Sequence, residues 1–223
     1  PSGGTTLEIG AGPSNQTTRM LASLSTVHGV DIDPDVRRGV WITANQPIAI
    51  LIDPTSWVVD CLVENAGPGP LPFGLGYHAY FTIPDVPDAT ADEMTLLAPT
   101  GELWEAVSGI PTGQRVPVPA DHDFRTAKPV GSTHLDALFA TGSKLPTVSR
   151  LAHPRSGGTL HVSAPADFRE LVLFTPPHRK AVAIEPYTCA SNAANLPDGG
   201  WRTLPAGGQW AAGVRYEWRR LRS

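Results

Sequence analysis

The stretch Pro72-Phe73-Gly74-Leu75-Gly76-Tyr77-His78-Ala79-Tyr80-Phe81 places one histidine among aromatic residues, directly after a turn rich in proline and glycine. Much later in the chain, the run Ala183-Ile184-Glu185-Pro186-Tyr187-Thr188-Cys189 places one glutamate in an apolar segment. Both segments resemble buried strands, in which the pKa of a titratable side chain can be tuned. The sequence therefore predicts an acid and a base, His78 and Glu185, embedded in β-structure.

The chain around these two segments has the pattern of an all-β protein. Short apolar runs rich in β-branched residues alternate with turns that use many of the 23 prolines and 22 glycines. No long amphipathic helix interrupts them, so we expect a sandwich or barrel of antiparallel strands. Strands are predicted at residues 48–52, 57–64, 93–97, 159–162, 171–175, 181–184 and 210–218, and connecting segments at 65–74, 99–119 and 197–208.

Charge and hydropathy exclude several classes of protein. The net charge of −4 and the pI near 6.0 argue against nucleic-acid binding. No apolar run approaches the ~20 residues that span a bilayer, and no signal peptide is evident, so the expectation is a cytoplasmic protein without a membrane partner.

The sequence also predicts no metal centre. The two cysteines, Cys61 and Cys189, lack metal-type spacing and are predicted to be reduced and mostly buried, with a disulfide as the alternative. Asp121-His122-Asp123 contains potential ligands, but no further ligands accompany it.

The first forty residues have a different character, typical of one strand-helix-strand unit. A strand is predicted at residues 6–9, a helix at 14–24 and a second strand at 27–33. Gly10 and Gly12 would let the backbone approach a ligand. Asp31 follows at about the separation at which an acid meets a ribose in nucleotide-binding units.

This unit resembles the opening of class I S-adenosylmethionine-dependent methyltransferases, in which residues 7–15 would be the glycine-rich first motif. The resemblance covers only about 35 residues, and the later chain supplies no further strand-helix units. It implies S-adenosylmethionine as an alternative cofactor, bound by Gly10, Gly12 and Asp31.

Most of residues 57–218 resemble the aldose 1-epimerase (galactose mutarotase) family. The matching motifs occur in the family's order, which makes them specific together although each is weak alone. They are Asn65 with residues 72–81, then 110–113, 123–125, 134–139, 183–188 with Asn192, Ala193 and Asn195, and finally 201–210 around Leu204-Pro205-Ala206-Gly207.

The resemblance implies a β-supersandwich that binds a free aldohexose in an open groove and interconverts its anomers without a cofactor. It assigns Glu185 as base, His78 as acid and Asp136 as acceptor of a sugar hydroxyl. Tyr80 and Tyr187 offer aromatic faces for the sugar. The two catalytic groups are expected on opposite sides of the bond that opens.

These expectations divide the chain into three parts: a methyltransferase-like fragment (1–38), an unassigned junction (39–56) and an epimerase-like β-sandwich domain (57–223). The family's upstream His-Gly-Gly-type and Asn-Arg-type motifs are not found. A partial sandwich is expected to expose unpaired strand edges and to self-associate. The alternatives are a carbohydrate-binding protein without catalysis on the same scaffold, and a methyltransferase-related protein.

Overall fold

A computed structural model of the protein describes residues 56–83 and 86–220, together with the backbone of three short N-terminal strands. These three are β1 (Gly4–Leu7), β2 (Ser25–Asp31) and β3 (Val40–Ile42). The following strands, in chain order, are β4 (Ser56–Glu64), β5 (Leu71–Phe73), β6 (Tyr80–Phe81), β7 (Thr95–Leu97), β8 (Glu102–Val107), β9 (Ile110–Pro117), β10 (Lys128–Pro129), β11 (Asp136–Ala140), β12 (Thr147–Ala152), β13 (Gly158–Ala164), β14 (Glu170–Phe174), β15 (Val182–Tyr187), β16 (Arg202–Leu204) and β17 (Gln209–Arg220).

The strands from β4 onward form two six-stranded antiparallel sheets and a small ribbon. One sheet has the order β10-β7-β12-β13-β17-β4, and the other has the order β6-β15-β14-β11-β8-β9. The ribbon pairs β16 with β5. In the described part of the chain, helical structure is limited to two 3₁₀ turns, Ala91–Glu93 and Ala193–Asn195. The predicted antiparallel β-architecture is therefore confirmed.

The core lies between the two sheets. The rings of Phe81 on β6 and Tyr216 on β17 lie 5.7 Å apart and join the sheets across this core. Leu171, Leu173 and Ile184 contribute further buried side chains from the second sheet. Because successive strand residues point to opposite faces, the residues between them lie on the outer face of that sheet. This outer face carries the candidate site.

Most predicted strands are present within a few residues of their predicted ends, but the prediction of residues 99–119 as a connecting segment was wrong. This segment forms the hairpin β8–β9, which turns at Ser108 and Gly109, both with positive φ. Prolines and charged residues hid it, because one strand is a sheet edge, where such residues are tolerated. Segments 65–74 and 197–208 likewise contain the ribbon strands, β11 and β12 were not predicted, and the strand predicted at 48–52 lies outside the described residues.

The N-terminal strands partly match the predicted strand-helix-strand unit. Strands β1 and β2 pair in parallel, with Gly4 opposite Ser25, as a strand-helix-strand connection requires. Strand β3, within the segment left unassigned by the sequence, pairs with β2 in the antiparallel sense. The predicted helix at 14–24 and the turn with Gly10 and Gly12 lie outside the described residues.

Two other expectations bear on the described chain. Cys61 and Cys189 are both buried free thiols, as predicted. Among the described residues, no helix has the length and apolar character needed to cross a membrane.

Candidate active site

The site is built where an irregular segment of residues 74–79, called here the His78 segment, runs alongside β15. Tyr77 N donates to Pro186 O (3.2 Å), and Ile184 N donates to Ala79 O (3.2 Å). These two bonds flank the contact between the central residues of each segment. His78 Nδ1 lies 3.1 Å from Glu185 Oε1, so the predicted acid and base are in direct contact.

Two glycines make this close approach possible. A Cβ at Gly74 would overlap the Sγ of Cys189, and a Cβ at Gly76 would overlap the ring of Tyr187. A side chain at either position would require the His78 segment or the neighbouring side chain to move. Gly74 and Gly76 therefore allow the close packing that places His78 beside Glu185.

The His78–Glu185 pair is strongly desolvated. Glu185 is only 1% exposed and His78 16%. Burial raises the pKa of the Glu185 carboxyl to about 8, while the Tyr187 hydrogen bond lowers it and the charge of Asp136 raises it further. Burial also lowers the pKa of His78. Both shifts favour the neutral forms, so near neutral pH the pair has one titratable proton, one fewer than a carboxylic acid beside an imidazolium.

The contact between the pair has a specific geometry. Nδ1 and Oε1 are within hydrogen-bond distance, but the two atoms do not form a well-aligned hydrogen bond. Nδ1 thus faces Glu185, and the ring's other nitrogen, Nε2, has no partner within the described residues. The two groups are therefore neighbours, and their placement relative to the bond that opens stays a prediction.

The other predicted site residues lie on the same face of the sheet. Tyr80 is opposite Ala183, which is opposite Phe174, which is opposite Asp136, so these four form one row across four strands. Since residues directly opposite one another share a face, and alternate residues of a strand do too, Glu185 belongs to this face. The ring of Tyr80 stacks on His78, with centroids 4.9 Å apart.

Asp136 and Tyr187 play different parts in this arrangement. Asp136 is exposed, and its charge raises the pKa values of Glu185 and Tyr80. Its role as acceptor of a sugar hydroxyl stays a prediction. The Tyr187 hydroxyl donates to Glu185 Oε2 at 3.0 Å, so this side chain acts on the carboxyl in addition to any contact with a sugar.

A second buried carboxyl on this face was missed by the sequence analysis. Glu170 lies opposite Tyr187 in the register and is 1% exposed. Its Oε2 accepts a hydrogen bond from Trp104 Nε1 (2.7 Å), and Arg169 Nε lies 3.2 Å from its Oε1. Burial raises the pKa of Glu170, against the effects of these partners. The available signal was a glutamate at the start of an apolar strand, but Trp104 lies on a hairpin that the sequence did not predict.

The sequence also indicated candidates at residues 121–123 and at Gly10, Gly12 and Asp31. Asp123 accepts hydrogen bonds from Arg125 (2.9 Å), and within the described residues no group of His, Cys, Asp and Glu could hold a metal ion. Asp31 is the last residue of β2, and Gly10 and Gly12 are not described.

Comparison with known proteins agrees with this architecture. A family model described as aldose 1-epimerase matches residues 50–220. The uncharacterized protein YihR of Escherichia coli (strain K12) is 24% identical over 156 residues, which are 70% of this chain and 49% of YihR. The chain therefore spans about half the length of this curated relative.

Solved structures show the same fold. A galactose mutarotase-like protein from Clostridium acetobutylicum superposes with a TM-score of 0.65 at 18% identity, over 74% of this chain and 52% of that one. A galactose mutarotase related enzyme from Lactobacillus acidophilus superposes with a TM-score of 0.55 at 14% identity, over 78% of this chain and 61% of that one.

Proposed function

Because the chain belongs to the aldose 1-epimerase family, we propose that it interconverts the α and β anomers of a free aldohexose by acid/base opening of the pyranose ring. The observation that carries this proposal is the 3.1 Å contact between His78 and Glu185 in a desolvated site. Opening a cyclic hemiacetal requires removal of the proton on the C1 hydroxyl and delivery of a proton to the ring oxygen. These two oxygens are bonded to the same carbon, so neighbouring catalytic groups suit the reaction.

The single proton of the pair fits a reversible reaction. The arrangement implied by the family, with Glu185 as base and His78 as acid, corresponds to a carboxylate beside an imidazolium. The resting pair has the same number of protons, with the proton on Glu185, because burial favours the neutral forms. Transfer of that proton across the contact gives the active form without a proton from solvent. After rotation about C1–C2, the groups exchange roles and the ring closes on the other face.

The rest of the face can hold the sugar. Tyr80 presents an aromatic ring beside His78, and Phe174 lies edge-on to Tyr80 at 6.2 Å. Asp136 ends the row with an exposed carboxylate that can accept hydrogen bonds from sugar hydroxyls. This combination of an apolar ring face and a hydroxyl acceptor suits an unmodified aldohexose.

Polarimetry of freshly dissolved α-D-galactose and α-D-glucose tests the proposal. We expect acceleration over the buffer rate, and its loss in His78→Ala and Glu185→Gln, since each catalytic group typically contributes ~10²–10⁴ in rate. His122→Ala, which removes a histidine outside the site, should keep the wild-type rate. A folded wild-type sample that accelerates neither sugar contradicts the proposal for both.

The shielding of Glu185 favours a second candidate, a carbohydrate-binding protein without catalysis. A carboxyl that is 1% exposed is accessible to a sugar only if His78 or its neighbours move. Nuclear magnetic resonance distinguishes the two candidates. Saturable chemical-shift changes on sugar addition, without faster anomer exchange, would support binding alone.

A further inference from the structure

The hydroxyl of Tyr187 occupies one oxygen of the Glu185 carboxyl while His78 approaches the other. Tyr187 Oη donates to Oε2 at 3.0 Å, and His78 Nδ1 lies 3.1 Å from Oε1. The two contacts on different oxygens fix the orientation of the carboxyl plane. Oε1 is thereby the oxygen presented to the imidazole.

The position of Tyr187 is itself fixed by the backbone of the His78 segment. Gly76 and Tyr187 form an isolated antiparallel bridge, and the Tyr187 ring packs where a Cβ on Gly76 would stand. The neighbouring bond from Thr188 N to Leu75 O (2.8 Å) holds the same stretch of β15. The hydroxyl is therefore placed by the same close packing that delivers His78.

We propose that Tyr187 is a positioning residue for the acid/base pair, whose hydroxyl orients Glu185 toward His78 and stabilises the ionised carboxylate. This inference rests on the proposed function for its catalytic meaning, but the contact itself can be tested without activity. A donor to a buried carboxylate favours the charged form, whereas burial and nearby negative charge oppose it.

The balance around Glu185 involves every element packed against it. Tyr187 lowers its pKa, and burial and Asp136 raise it. Burial raises the pKa values of Tyr80 and Tyr216, and the charge of Glu185 raises them further, so Glu185 interacts electrostatically with both side chains. The titratable groups on the face of Glu185 are His78 from the His78 segment, Tyr80 from β6, Asp136 from β11 and Tyr187 from β15, with Glu170 of β14 opposite Tyr187. Tyr216 of β17 lies in the core on the other side of the sheet.

The direct test is a ¹³C titration of the Glu185 side-chain carboxyl in wild type, Tyr187→Phe and Tyr77→Phe, with Glu185→Gln to assign the signal. Tyr187→Phe removes only the hydroxyl and keeps the ring against Gly76. We expect the pKa of Glu185 to rise by about one pH unit, the effect of losing one hydrogen bond to the charged form. Tyr77→Phe is the matched control, because the Tyr77 hydroxyl donates to Val59 O (3.3 Å) and not to Glu185. Its Glu185 should titrate as in wild type.

A kinetic readout completes the test. In an active enzyme, the alkaline limb of the kcat/KM profile, where the pair loses its titratable proton, should move up by about one pH unit in Tyr187→Phe. Below that limb kcat/KM should fall roughly tenfold, because the proton then stays on Glu185 and the carboxylate form is rarer.

The outcomes separate this inference from the proposed function. An unchanged pKa of Glu185 in Tyr187→Phe, or an alkaline limb of kcat/KM that does not move, would overturn the positioning role even if the wild type is active. A raised pKa in a protein that accelerates neither sugar would support the positioning role while the proposed function fails.

Discussion

The buried carboxyl group of Glu185 should contribute strongly to how the stability of this protein depends on pH. Burial raises its pKa from the ordinary value of 4.5 to about 8. Between these values the folded state binds more protons than the unfolded state, so the free energy of unfolding falls as pH rises through this window. Glu185→Gln cannot ionise and should not show this fall. From pH 4 to pH 8.5, its stability relative to wild type should increase by roughly 3–5 kcal/mol, at about 1.4 kcal/mol per pH unit of displacement.

Urea denaturation at a series of pH values measures this effect. Glu105→Gln, at an exposed glutamate, is the matched control and should follow the wild-type curve. Parallel curves for wild type and Glu185→Gln would show that the carboxyl ionises in the folded state as freely as in the unfolded chain.

At the same scale, the sequence predicts which residues form the site better than how they meet. His78, Glu185 and Asp136 could be predicted because titratable side chains stand in apolar segments that match family motifs in order. The direct contact of His78 with Glu185 depends on backbone bonds between an irregular segment and a distant strand, which no local pattern encodes. For the same reason the sequence did not predict the hydrogen bond from the Tyr187 hydroxyl to Glu185, and the predicted sugar contact of Tyr187 stays a prediction.

At the scale of elements, the packing of the His78 segment against the residues after β15 depends on Gly74. A Cβ at this position would overlap Cys189 Sγ, whereas its distance to Cys189 Cβ would be an ordinary 3.7 Å. Gly74→Ala should therefore destabilise the protein by about 1–3 kcal/mol, typical of overpacking, and should displace His78. Removing the sulfur in Gly74→Ala/Cys189→Ala should recover part of the loss. The double-mutant cycle is measured by denaturant unfolding, and additive effects would show that the two positions do not collide.

The hairpin β8–β9 was not predicted from the sequence, although one of its residues binds a buried carboxyl on the site's face. Edge exposure allowed prolines and charges that mask a strand pattern, yet Trp104 on this hairpin is buried and donates to Glu170 at 2.7 Å. Trp104→Phe keeps a ring but leaves Oε2 of a buried carboxyl without its donor. We expect a loss of about 1–3 kcal/mol in the free energy of unfolding. Trp201→Phe, at a more exposed tryptophan, should change the free energy of unfolding by much less. Equal losses in the two variants would show that the Trp104 hydrogen bond does not contribute measurably to stability.

At the scale of the whole molecule, the two-sheet arrangement followed from features that the sequence displays directly. Apolar alternation and frequent turns predicted antiparallel strands, and the ordered motifs predicted the family's sandwich. The order of strands within each sheet could not be read in this way. It depends on pairings such as β13 with β17 and β4 with β17, between strands far apart in the chain. The register of these pairs is set by which side chains fill the shared core, a property of the assembled sheets.

In the two-sheet arrangement β4 is the last strand of its sheet. We therefore expect copies of the protein to associate through this strand. No other described strand pairs with the outer edge of β4, and on that strand Val58 and Leu62 are 43% and 60% exposed. An edge strand with exposed apolar side chains is a template for pairing with another chain.

We expect the protein to sediment as a concentration-dependent mixture of monomers and larger species. Leu62→Lys should shift this mixture toward the monomer, because it places a charge on β4. Ile110→Lys changes an equally apolar residue at the distant β8–β9 turn and should leave the mixture unaltered. If only Ile110→Lys dissociates the protein, the contact between copies lies at the β8–β9 hairpin. A wild-type protein that is monomeric at all concentrations would show that the β4 edge does not mediate association.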